Sequence, residues 1–76
     1  MNDNRFADYV LDLGSLVKEK ATEAQNLKKQ NCEAYDIGYL MAWHEIVSLM
    51  QCQAALFCID LSQIGLEGVD PERDLL

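Results

Sequence analysis

The sequence is short of most things that build a catalytic or secreted domain. It holds one proline, four glycines, one histidine, one tryptophan and three cysteines in 76 residues. A lone histidine leaves no second imidazole for a zinc pair, and His44 is followed by Glu45 without a further histidine four residues on, so the metalloprotease pattern is absent. No glycine-rich phosphate loop and no strand-turn-helix elbow around a serine can be traced, which removes the usual nucleotide and hydrolase motifs. Three cysteines cannot all pair within one chain. No basic, then apolar, then small-residue leader precedes them, so the expectation is a reducing, cytoplasmic setting. The longest apolar runs, residues 37–43 and 54–59, are too short to cross a bilayer.

Positive charge is scarce as well. Thirteen acids stand against six Lys and Arg, a net charge of −7. That balance opposes approach to phosphate backbones and anionic lipid, so neither nucleic acid nor membrane is an expected partner. The deficit is uneven: residues 18–29 carry a local +2 from Lys18, Lys20, Lys28 and Lys29 against Glu19 and Glu23, whereas residues 65–76 carry −3.

What the chain has in quantity is apolar side chains, half of all residues, at helical spacing. Phe6, Tyr9, Val10, Leu13, Leu16, Val17, Ala21, Ala24 and Leu27 recur at steps of three and four, predicting a first helix over about 4–30, with Asn2 or Asp3 as N-cap. Gly14 inside it would lower helix stability by about 1 kcal/mol against alanine, so a close helix crossing is its expected reason. A second helix is predicted over about 33–64, stopped by Gly65 at the C′ position with Leu66 packing back on Leu61 as in a Schellman motif. Between them the turn falls within 28–34, where Asn31 best tolerates a left-handed conformation.

Two apolar rows run along the second helix. One is Tyr35, Tyr39, Ala42, Ile46, Leu49 and Leu56, and the other Leu40, Trp43, Val47, Met50, Ala54, Phe57 and Leu61. A single partner helix cannot cover both. The expected architecture is therefore all-α: an antiparallel two-helix hairpin over residues 1–64, dimerising into a four-helix bundle, followed by an acidic tail over 65–76. In that tail Asp70 and Pro71 suit the N-cap and first position of one helical turn, and Leu75 and Leu76 either fold back or stay free. The residues expected at the subunit interface are Tyr35, Tyr39, Leu40, Trp43, Val47, Met50, Ala54 and Phe57. Val47, Met50 and Ala54 should gain burial on assembly, and Leu49→Asp should place an unpaired charge in a core.

Tyr35, Tyr39 and Trp43, at steps of four, read first as packing groups and only second as a ligand row. His44, Gln51 and Cys58, with Cys52 one position round, recur on one helix face, but residues seven apart lie roughly 10 Å apart along the axis, so one helix cannot close a metal sphere. No catalytic, cofactor-binding or metal-binding residue is assigned. The expected function is that of a small cytosolic, non-enzymatic accessory or regulatory protein that binds another protein. An alternative is an acidic decoy or immunity-type inhibitor of a basic, nucleic-acid-binding or toxic protein. A metal or redox site shared across a dimer through His44, Cys52 and Cys58 is a remote third.

Overall fold

The computed structural model describes residues 4–75. It is all-helical, with α1 (Arg5–Asn31) and α2 (Ala34–Leu56) packed antiparallel, a 3-10 turn over Leu61–Ile64, and a one-turn α3 over Pro71–Asp74. The hairpin is 50 Å long and no more than 20 Å across. Asn4 caps α1 without a side-chain hydrogen bond, and the expected caps Asn2 and Asp3 lie outside the described residues.

The hairpin bend is made by Cys32, not Asn31. Cys32 adopts the left-handed conformation at φ 51° and its N–H donates to the Lys28 carbonyl at 2.9 Å, closing α1 by a single five-to-one bond. Asn31 is still helical. The two lysines in the last turn, Lys28 and Lys29, sit where the α1 dipole favours positive charge.

The seam between the long helices is narrow because α1 contributes only small groups to it. Gly14, Val17, Ala21 and Ala24 are buried on its inner face, opposite Leu40, Val47 and Ala54 of α2. Leu40 and Val47 are wholly buried. The chain thus chooses between the two apolar rows of α2 by shape: a row whose deepest members stand seven residues apart is pressed onto a stripe of glycine, valine and alanine.

The second helix ends eight residues earlier than the apolar pattern suggests, at Leu56 instead of Ile64. Cys58 takes up φ 55°, its N–H reaching the Ala55 carbonyl at 3.1 Å while the Ile59 N–H reaches Ala54 at 2.8 Å. Those two bonds are a complete Schellman stop. Asp60 then starts a new turn: its carboxylate accepts from the Ser62 N–H and hydroxyl, both at 2.9 Å, and its own N–H donates to Gln63 Oε1 at 3.2 Å. The reversal expected at Gly65 is present, with Gly65 left-handed and the Leu66 N–H on the Leu61 carbonyl at 3.1 Å, but it closes this 3-10 turn and not α2.

Gly14 explains how the returning segment lies so low on α1. A Cβ there would collide with the Ile64 carbonyl oxygen and stand 2.6 Å from its carbon, and a Cβ on Gly65 would stand 2.7 Å from the Leu11 oxygen and the Ser15 nitrogen. Two glycines therefore meet across the crossing. The crossing expected of Gly14 is real, and its partner is the 3-10 turn. Beyond it residues 66–75 are folded back, with Leu66, Pro71 and Leu75 buried against the hairpin, and Leu76 lies outside the described residues.

Candidate interaction surface

Three polar anchors fasten the C-terminal segment along one side of the hairpin. Lys18 Nζ donates to the Glu67 carbonyl at 3.0 Å, Gln51 Nε2 donates to the Val69 carbonyl at 2.8 Å, and His44 Nε2 lies 3.3 Å from Glu72 Oε1. Two of the groups that stood in the candidate metal row, His44 and Gln51, are thus used to hold the tail. Cys52 and Cys58 are exposed free thiols. Among the described residues no three His, Cys, Asp or Glu side chains converge as a metal site would require. No described helix is long and apolar enough to cross a membrane.

Two of the tail's charges, on Arg73 and Asp74, satisfy each other. Arg73 binds Asp74 through Nε at 2.8 Å and Nη2 at 2.9 Å, and that pairing, helped by the Asp70 N–H, holds the Asp74 carboxyl down at about 2. The same contact raises the Arg73 guanidinium. Hydrogen bonds from Ser62 lower Asp60 below the ordinary carboxylate range.

The opposite side of the hairpin has no such cover. On α1, Phe6, Tyr9, Leu13, Leu16 and Leu27 are exposed; on α2, Tyr35, Ala42, Ile46, Leu49 and Leu56 are exposed, and Phe57 follows them. Each set falls on positions spaced alternately three and four apart, the heptad spacing of a helix seam, with Lys20 and Glu23 occupying two of those positions on α1 and Tyr39 and Gln53 two on α2. At 100° per residue, each open row lies roughly 100° round from its helix's buried row, and in the same rotational sense. Since α1 and α2 face each other antiparallel, equal senses bring both rows to one side. Val10, Met50, Ala54, Phe57, Ile59 and Ile64 line a shallow apolar groove between them near the open end.

Near the turn the surface is aromatic. Tyr35 and Tyr39 stack with centroids 6.1 Å apart, and Tyr39 meets Trp43 edge-on at 6.3 Å. These rings pack on one another along α2, with Tyr39 and Trp43 half-buried against the core and Tyr35 largely exposed.

The residues expected at an interface separate into three groups. Leu40, Val47 and Ala54 are closed inside the single chain, so no partner can bury them further. Tyr39, Trp43 and Met50 are half-buried at the edge of the core. Tyr35 and Phe57 are open. Leu49, expected in a core, is 66% exposed, so Leu49→Asp introduces no buried charge within a single chain. Sequence spacing alone joins the open row of α1 to Val10 and Val17 in one stripe; the register of Phe6, Tyr9, Leu13, Leu16 and Leu27 is the signal that separates them.

Compared with known proteins, the chain matches no family model, no curated protein and no solved structure.

Proposed function

We propose that this chain is a non-enzymatic binding module that works in the cytosol by docking the open heptad face of its hairpin onto a protein surface. The observation that carries the reading is the asymmetry of the hairpin: residues 65–75 close one side, while the other displays two aligned apolar rows. Contiguous exposed apolar patches larger than about 300–600 Å² mark interaction sites on soluble domains. Three exposed thiols without disulfide partners fit a reducing compartment.

The test is a photo-crosslinking amino acid placed at Leu49 and, as control, at the exposed acidic position Glu19, with irradiation in living cells. Covalent adducts to a polypeptide, whether this chain or another, are expected from position 49 and not from 19. Absence of any protein adduct at 49 would defeat the reading.

A second reading is supported by the exposed carboxylates of the tail, Glu67, Asp70 and Glu72, in a region whose only arginine is tied to Asp74. Such a surface would attract a basic protein. Its association rate would then fall steeply between low and high salt, and a partner whose binding ignored salt would exclude it.

A further inference from the structure

We propose that the occupant of the open face is a second copy of this chain, mated antiparallel about a two-fold axis crossing the middle of the hairpin, with Gln53 of each copy level with Glu23 of the other. This rests on the reading of that face as a docking surface and goes on to name its partner and orientation.

Area is the first argument. Phe6, Tyr9, Tyr35 and Phe57 are 83, 65, 76 and 70% exposed. At about 200 Å² per aromatic side chain these four alone hold on the order of 600 Å² in water. Leu13, Leu16, Ile46, Leu49 and Leu56 carry the face past the roughly 800 Å² per partner of a standard interface. A second two-helix face matches both the width and the heptad spacing of these two rows, pairing each with a row of its own kind.

Charge sets the orientation. Three polar side chains interrupt the heptad rows: Lys20 and Glu23 on α1, and Gln53 on α2. Counting back from the turn, Lys20 and Glu23 are level with Ile46 and Ala42, on the turn side of the middle, and Gln53 is level with Leu13, toward the open end. A parallel mate would set Glu23 level with Glu23 and Lys20 level with Lys20, two layers of like charge inside one interface. An antiparallel mate exchanges the ends. Gln53, an amide donor, then shares a layer with the partner's Glu23, and Lys20 lies level with the partner's Leu16 and Leu49, its stem covered by leucine. Its ammonium stays with its own Glu23, 3.6 Å away. Polar groups at seam positions choose register and orientation in this way in helical bundles. The axis falls near residue 18, the midpoint of α1 (Arg5–Asn31), so this orientation also overlaps the faces over their full length.

The experiment uses the untagged full-length chain. Light scattering over a range of concentrations should approach twice the 8.6 kDa chain mass. In a Cys52→Ser, Cys58→Ser background, a spin label on Cys32 at the turn should report a label-to-label distance of about 40 Å, since each turn lies about 14 residues from the axis at 1.5 Å rise. Leu49→Asp should return the mass to that of one chain with its helical circular dichroism retained. A dimer with labels closer than about 20 Å would overturn the orientation. One-chain mass at every concentration, or a Leu49→Asp variant that stays dimeric, would overturn self-association through this face. Adduct formation at position 49 decides separately whether the face binds protein at all.

Discussion

Replacing glycine with alanine inside a helix ordinarily stabilises it by up to about 1 kcal/mol, because alanine restricts the unfolded chain. This protein offers that substitution twice with opposite outcomes. Gly38 lies in α2 with nothing within 4 Å of a built Cβ, whereas a methyl on Gly14 strikes the carbonyl of Ile64. Gly38→Ala should therefore raise stability by about 0.5–1 kcal/mol. Gly14→Ala gains the same helical term but must displace the 3-10 turn. Overpacking of this kind costs about 1–3 kcal/mol, and if the turn lifts, Ile64 and Leu66 lose burial worth about 1.5–3 kcal/mol each. The net expectation for Gly14→Ala is a loss of about 1–3 kcal/mol. Urea denaturation at one fixed protein concentration measures both variants without confusing stability with association. Amide exchange at Leu66, whose N–H is bonded to Leu61, should quicken only in Gly14→Ala. Two midpoints displaced upward together would refute the glycine crossing.

Other outcomes follow from single contacts. Cys58→Gly should stabilise by about 1 kcal/mol in the same urea assay, because a left-handed conformation disfavours any side chain. Gln51→Leu should cost about 1 kcal/mol and speed exchange across residues 66–75, since the amide that binds the Val69 carbonyl is removed. Acidification should loosen the tail before the hairpin. Asp74, held at about 2, and Asp60, lowered by Ser62, both ionise more readily folded than unfolded. Their contribution is present above the ordinary carboxylate value of 3.8 and lost as pH falls toward about 2. Asp74→Asn should remove most of that pH dependence from tail amide exchange.

Helix existence, the hairpin and the surplus of apolar surface were all legible in residue spacing. Two things were not. The end of α2 was hidden because Phe57 and Leu61 continue the apolar row past the true stop, and periodicity carries no record of a left-handed cysteine. A competing signal was present in Asp60 and Gln63, whose three-residue spacing marks a helix start within the presumed second helix. The choice of which α2 row faces α1 was hidden for a different reason. Both rows are apolar, and only the shape of α1's inner stripe, Gly14 through Ala24, decides between them. Reading that stripe as a demand for close approach would have moved Leu40, Val47 and Ala54 from the interface to the core. At the turn, Asn31 had the better intrinsic tolerance, yet α1 runs one residue further and the reversal falls on Cys32.

The folded-back tail also bears on how many copies can join. A hairpin apolar on both broad sides would offer each newcomer a fresh surface, and stacking would continue without a natural end. Here Leu66 and Leu75 fill one side from within the same chain, and the anchors at Lys18, His44 and Gln51 hold them there. Under the proposed pairing, growth would have that one face to use, and a self-complementary contact through it would exhaust it. In the pairing proposed above, residues 65–75 would act as a terminator of assembly: releasing them, by substitution at Gln51 or by acid, should convert a closed pair into larger, open-ended species.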